Sequence, residues 1–274
     1  MTASVIFSTY NSEEWLEKVI IGFSVQTFTD FEIIIADDGS RDTTKVLIDR
    51  LRDEITIPII HVWQEDNGFQ KSQILNKAIL ASTSDYLIFT DGDCIPRADF
   101  VQVHLDYREA GHFLSGGYYK LPMDISKAIT KQDIITQKCF DLSWLKAQGL
   151  SSSAKNIKFL TSGLSAKILN FITPTNASWN GHNSSGWKKD LVEVNGFNQE
   201  MQYGGQDREL GERLFNKGLK SKQIRYSAIC VHLDHKRGYV NKETWQKNYS
   251  IRANTRKNKV IKTPIGIDSN SVSN

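Results

Sequence analysis

The chain has 274 residues, 24% of them charged and 39% hydrophobic, with a formal net charge of +3. This balance excludes a disordered or collagen-like chain. No apolar run reaches the roughly 18 residues of a membrane span, and three widely spaced cysteines without a C-x-x-C pair exclude a disulfide framework or a thiolate zinc site.

The N-terminus enters Ser4-Val5-Ile6-Phe7 without a basic leader, so a cytoplasmic protein is expected. Residues 4–9 read as a buried strand. Asn11, with Glu14 three residues later, reads as an N-cap and its partner for a helix running to about Val25. Phe31–Ala36 is a second apolar run of strand length, ending in Asp37-Asp38-Gly39-Ser40, a turn suited to capping the next helix. A third strand fits Ile57–Val62, a third helix Phe69–Ala81, and a fourth strand Asp85–Thr90. Alternating strands and helices predict an α/β fold with a Rossmann-like, mostly parallel sheet, in which ligands bind beyond the carboxyl ends of the strands. The groups at those ends are Thr9-Tyr10-Asn11, Asp37-Asp38 and Asp91-Gly92-Asp93.

A dinucleotide fold would place G-x-G-x-x-G after the first strand, where this chain has Ser8-Thr9-Tyr10-Asn11-Ser12. Phosphates bound here need another counter-charge. Asp91 and Asp93, flanking a glycine at the fourth strand's tip, are suited to one hard divalent cation, Mn²⁺ or Mg²⁺, whose shell substrate phosphates complete. One carboxylate of Asp37-Asp38 is suited to accept a hydrogen bond from a base or ribose. Lys71 either reaches a phosphate or is solvated.

Residues 120–172 divide poorly: Ile125–Trp144 has some helical periodicity, and Gln148–Ala154 is a Gly/Ser-rich linker. A dense polar and aromatic cluster then runs from Asn176 to Arg213. Its Trp179 and Trp187 suit stacking on a sugar or burial in a core. Gly204-Gly205 precede a helical pattern through Leu210 and Leu214, which places Asp207 in a helix's first turn as a poised general base, with Glu209 and Glu212 on the exposed side. Tyr226–Val231 reads as a strand leading to His232 and His235, whose spacing lets both face one cation. From Lys236 onward nine Lys or Arg stand against Glu243 and Asp268, with a disordered end expected over Asp268–Asn274. That basic segment is either a solvated helix and tail or a contact to an anionic membrane, and it carries no nucleic-acid motif.

Taken in order, Ser-Thr-Tyr-Asn, Asp-Asp-Gly-Ser, Asp-Gly-Asp and Gly-Gly-Gln-Asp make the chain resemble a family 2 glycosyltransferase of the GT-A fold over about residues 3–240. Trp187 to His235, with Val-Asn-Gly-Phe and His-Leu-Asp-His, further resembles the C-terminal module of galactosyltransferases. The resemblance implies an inverting enzyme that takes a sugar of Gal, GalNAc or Glc type from a nucleotide-diphosphate donor, a UDP-sugar above all, to a glycan or lipid-linked glycan in surface polysaccharide or lipopolysaccharide synthesis. It implies nucleotide contacts at Thr9, Tyr10, Asn11, Asp38, Lys71 and Asp91, metal ligation by Asp93, His235 and His232, and Asp207 as base. Acceptor contacts are expected at Trp179, Trp187, Gly205 and Gln206. The family usually has Glu-Asp where this chain has Gln206-Asp207. The expected division is a nucleotide-sugar half (1–119), a fused acceptor-binding and catalytic half (120–240) and a basic helix and tail (241–274). The alternatives are a non-catalytic sugar-binding homologue, a D-x-D phosphatase, which would carry its motif on the first strand, and a nucleotidyltransferase, which would carry a Gly-rich loop there.

Overall fold

A computed structural model of the chain describes residues 1–235 and 242–270. The first half runs β1 (Ala3–Thr9), α1 (Glu13–Ser24), β2 (Phe31–Asp37), α2 (Asp42–Glu54), β3 (Ile59–Trp63), α3 (Lys71–Ala81), β4 (Tyr86–Asp91), β5 (Cys94–Pro96), α4 (Phe100–Tyr107), β6 (His112–Ser115) and β7 (Gly117–Lys120). Short helices follow: α5 (Met123–Ala128), α6 (Lys131–Ile135), α7 (Leu142–Ala147), α8 (Ile157–Leu160) and α9 (Gly163–Ile172). The chain then forms β8 (Ser184–Trp187), α10 (Lys188–Glu193), α11 (Gln206–Asn216), β9 (Lys220–Gln223), β10 (Ile229–His232), α12 (Lys242–Lys257) and α13 (Ile267–Asn270).

The main sheet has the order β3-β2-β1-β4-β8-β6-β9, and β5-β10-β7 form a smaller one. β1, β2, β3 and β4 are mutually parallel. Alternation along β1 sends Val5 and Phe7 into a core with α1, and Ile6 into a second core with Ile74 and Ala78 of α3. Burial on both faces explains why these strands are continuous apolar runs.

The chain winds from β1 outward to β3 and then crosses back to β4 on the other side of β1, so β1 and β4 flank the switch point where such sheets bind ligands. The register pairs Thr9 with Asp37 and Ser8 with Asp91, which puts all three tips at one level. β8 runs antiparallel to β4, with Phe89 opposite Ser184 and Tyr86 opposite Trp187. The loop preceding β8 therefore reaches the Asp91 tip, and β8 and β9 build the second half into the first half's sheet.

Several local expectations are corrected. Asn11 is not an N-cap: it has a left-handed φ of 45°, its Oδ1 accepts from Arg41, and helix α1 starts after Ser12 without a side-chain cap. Asp37 closes its turn by accepting from the Ser40 N–H, while helix α2 is capped at Arg41. Ile125–Trp144 is helical but broken into parts of three short α-helices and a 3-10 turn at Lys138–Phe140. Asp268–Asn270 is the helical turn α13, and 271–274 lie outside the described residues.

Candidate active site

The Asp91-Gly92-Asp93 turn is shaped by β1. The Gly92 N–H donates to the Ser8 carbonyl at 3.1 Å, and a Cβ at position 92 would come within 2.6 Å of that oxygen. The glycine is thus required where the turn folds over the neighbouring strand, and the two aspartates leave it in different directions. Asp91 Oδ1 accepts from Lys71 Nζ at 2.6 Å, at the start of α3. Asp93 faces the small sheet, where Cys94 pairs with His232 across β5 and β10 and the Leu233 N–H donates to the Asp93 carbonyl. His235 Nε2 lies 3.0 Å and His232 Nε2 3.6 Å from Asp93 Oδ2.

The third carboxylate arrives on α11. Gly204 and Gly205 take φ of 112° and 87°, values that L side chains rarely adopt, and the chain turns through them into the helix. Asp207 sits in the first turn, and its Oδ1 is buried without a hydrogen-bond partner. Burial pushes this carboxyl up to about 6 against the pull of the Lys71 ammonium, and Asp91 adds to the rise. Lys71 lies between the carboxylates: burial works against its charge, but Asp91 and Asp207 outweigh burial and raise it above its ordinary value. Burial also opposes ionisation of Asp91, yet the Lys71 charge holds that carboxyl at about 2.

Two side chains, Asn76 and Arg213, tie α11 to α3 through the turn at 194–197. Asn76 of α3 accepts from the Phe197 N–H and donates to the Phe197 carbonyl, at 2.7 and 2.8 Å. Arg213, fully buried, binds Glu209 of its own helix and the carbonyls of Val194 and Gly196. The Val-Asn-Gly-Phe motif is therefore the latch that joins α3, which carries Lys71, to α11, which carries Asp207.

On the β1 side, Thr9 Oγ1 is buried and unpartnered. Asp38 accepts from Gln64 Nε2 and the Gln70 N–H, and burial pushes its carboxyl up to about 6. Tyr10, half exposed, donates to Asp66 at 2.8 Å.

The structure brings Thr9, Asp38, Lys71, Asp91, Asp93, His232, His235 and Asp207 to this sheet edge and corrects the acceptor assignments. Trp179 is fully buried against Phe89 and Phe113, with no surface for a sugar. Trp187 stands beside Tyr86, five residues of β4 or about 16 Å from the Asp91 tip. Gly205 caps α11 against the Arg252 side chain, and Gln206 is buried with its oxygen accepting from the Gly204 N–H. Glu209 and Glu212 are not exposed. Glu209 pairs with Arg213, and Glu212 binds Arg252 and Arg256 of α12.

Three participants escaped the sequence reading. Cys94 Sγ, Asp93 and His232 together offer ligand atoms within 4.8 Å of one another. Tyr118 packs on His182 and His232, with ring centroids 4.2 and 5.6 Å away. Burial lowers His182 to about 4, so this ring adjoins the carboxylates as a neutral imidazole. Only the pairing of β10 with β7 and β5 brings Tyr118 and Cys94 to the histidines, and nothing in their local sequence signals it.

A family model described as glycosyl transferase family 2 matches residues 4–159, more than half of the chain. The chain belongs to glycosyl transferase family 2. A second model, described as the N-terminal domain of galactosyltransferase, matches residues 172–236, the stretch holding the latch, Asp207 and both histidines. The uncharacterized glycosyltransferase YfnE of Bacillus subtilis is 26% identical over 268 residues, covering 86% of this chain and 65% of that protein. The chain thus spans somewhat less than two thirds of this relative's length. Staphylococcus aureus TarS in complex with UDP-GlcNAc superposes with a TM-score of 0.62 at 15% identity, over 98% of this chain and 69% of that one. GalNAc-T7 with UDP, GalNAc and Mn²⁺ gives 0.61 at 12% identity, over 91% and 47%. These likenesses establish the GT-A fold.

Proposed function

We propose that this family 2 chain is a metal-dependent inverting glycosyltransferase that moves a sugar from a UDP-sugar class donor to a hydroxyl of a glycan acceptor in surface polysaccharide synthesis. The observation that carries the reading is one sheet edge holding a buried, unpartnered Asp207 oxygen, a Lys71–Asp91 pair and the Asp93–His232–His235 group. The UDP-GlcNAc seen in TarS and the UDP seen in GalNAc-T7 support the donor class.

Asp91, Asp93 and Asp207 all act on the Lys71 ammonium, three carboxylates against one cation, so a diphosphate would meet net negative charge unless a cation accompanied it. The ligand atoms of Asp93, Cys94 and His232 lie within 4.8 Å of one another, and His235 Nε2 stands 3.0 Å from Asp93 Oδ2. A carboxylate with imidazoles beside it suits Mn²⁺ better than Mg²⁺, which prefers oxygen ligands, and GalNAc-T7 was solved with Mn²⁺. Asp93, His232 and His235 would hold the ion, and when bound it supplies positive charge to the departing diphosphate.

Thr9 and Asp38 bind the nucleoside, and Lys71 adds charge beside the phosphates. Asp207 Oδ1 accepts the proton of the acceptor hydroxyl as that oxygen bonds to the anomeric carbon and the carbon–diphosphate bond breaks on the opposite face. A carboxyl near 6 is mostly ionised at neutral pH and still basic enough for the task. Because Gln206 is a strut for Gly204, its replacement of the usual Glu leaves the base in place.

No helix among the described residues is long and apolar enough to cross a membrane. We propose that the reaction takes place in the cytoplasm, at the inner face of a membrane, on a lipid-linked acceptor. The basic segment after Lys236 contributes less free charge there than its composition implies, since Arg252 and Arg256 are paired with Glu212 and Lys262 with Asp268; Lys236 and Arg237 lie outside the described residues.

A panel of nucleotide sugars, titrated calorimetrically with Mn²⁺ and then with an acceptor mixture, tests the reading. Metal-dependent binding of a UDP-sugar followed by UDP release is expected. Binding without turnover by any acceptor would reduce the chain to a sugar-nucleotide binding module.

A further inference from the structure

Helix α9 is built inside out. At 100° per residue, Leu164, Ile168, Phe171 and Ile172 fall within one stripe about 100° wide, whereas Ala166 and Asn170 lie on the opposite side. A helix on a soluble body normally buries the apolar stripe. Here the anchor is polar: Asn170 donates to Ser227 Oγ at 2.8 Å and accepts from the Tyr226 N–H at 2.9 Å, and the small Ala166 packs beneath. The bulky side chains are left outward. Phe171 is 90% exposed, Leu164 73% and Ile172 60%, and Leu160 at the end of α8 adds another at 70%. Isolated exposed apolar residues need no explanation, but a contiguous stripe on an anchored helix marks an interaction surface.

The charge around the stripe indicates what it meets. From Leu142 to Lys189 the sequence contains six lysines and no Asp or Glu. Of these lysines, Lys155 and Lys167 are exposed beside the stripe, and Lys158 stands over the Tyr118 ring, with its Nζ donating to the Tyr118 carbonyl at 2.7 Å. An apolar ridge that carries exposed lysines and no acidic residue of its own stretch is complementary to a surface that offers acyl chains beneath negative headgroups. Tyr118 touches His182 and His232, so the ridge stands beside the mouth of the site.

We infer that the α8–α9 face is a membrane-docking surface, which inserts Leu160, Leu164, Ile168, Phe171 and Ile172 shallowly into an anionic bilayer with Lys155 and Lys167 at the headgroups. The contact does not depend on the enzymatic reading, because its test requires no turnover. It differs from attachment by the basic C-terminal segment, which is electrostatic alone.

The test uses the full chain with vesicles of phosphatidylcholine alone or mixed with phosphatidylglycerol. Wild type should co-sediment with the anionic vesicles and retain part of that binding at high salt. The exposed-site variant Leu164→Ser/Ile168→Ser/Phe171→Ser should lose at least tenfold in partitioning while keeping its thermal midpoint. Lys155→Gln/Lys167→Gln should lose the anionic preference. An environment-sensitive dye on Phe171→Cys should shift to the blue only with anionic vesicles. Failure of wild type to bind either vesicle, binding unchanged in the triple-serine variant, or a wild-type dimer that this variant dissolves without any vesicle binding would each overturn the inference.

Discussion

Arg213 is among the largest side chains that the fold buries completely, and Arg213→Met should cost about 3–5 kcal/mol of stability. The magnitude follows from what the substitution strands. Methionine fills much of the volume but donates nothing, so the Val194 and Gly196 carbonyls lose their guanidinium partner. Glu209, 1% exposed, is left with the Thr255 hydroxyl at 2.9 Å donating to its carboxylate. An unpaired buried polar group costs about 1–3 kcal/mol, and an unpaired charge more. With a urea m-value of about 3 kcal/mol/M, the unfolding midpoint should fall by about 1–1.7 M. The double variant Arg213→Met/Glu209→Leu should recover a large part of the loss, because an apolar pair replaces a stranded charge. A loss below about 1 kcal/mol, or a double variant no better than the single one, would refute the assignment of the pair as the latch between α11 and the Val-Asn-Gly-Phe turn.

Asp93→Asn should weaken Mn²⁺-dependent donor binding at least tenfold in calorimetry without shifting the thermal midpoint, since the side chain lies at a sheet edge and not in a core. Asp207→Asn should keep donor affinity and lose about two to four orders of magnitude in turnover, measured as UDP release. In the wild type, kcat/KM should fall about tenfold per pH unit below about 6 as Asp207 takes up its proton. Because its folded pKa is raised above the unfolded value, ionised Asp207 opposes folding from about pH 4 upward, an effect complete above pH 6. Asp207→Asn should therefore stabilise the free protein by on the order of 3 kcal/mol near pH 7.5 and hardly at all near pH 3.5, read from urea midpoints at the two pH values.

The donor half was legible because β1, β2 and β4 are long apolar runs with a polar tip each, and a parallel sheet places such tips on one edge. The short strands β6, β7, β8 and β9 carry four residues each, too few for periodicity to register, and Ser184-Ser185-Gly186-Trp187 has no strand composition. Their absence from the sequence reading is what misplaced the tryptophans. The antiparallel register of β8 on β4, which sends Trp187 to the far edge, is a long-range fact about a pair of strands. Trp179 was equally suited to a sugar or a core, and its contacts with Phe89, Phe113 and the glycines at 186 and 211 make it core.

The charges were misread for a related reason. Glu209 and Glu212 have the polarity of an exposed helical face, and the basic residues after Lys236 have that of a free cationic tail. Folding brings the two together: α12 lies along α11, Arg252 and Arg256 meet Glu212, and the Thr255 hydroxyl reaches Glu209. Two apparent surplus charges of opposite sign become one interface, while the Asp-free and Glu-free stretch around α9, which looks unremarkable in the sequence, keeps its lysines and its apolar stripe at the surface. A chain's charge is therefore best counted along the folded surface. Counted that way, a cationic patch lies beside the site along α8 and α9, and the α12 arginines serve to hold Asp207's helix in place.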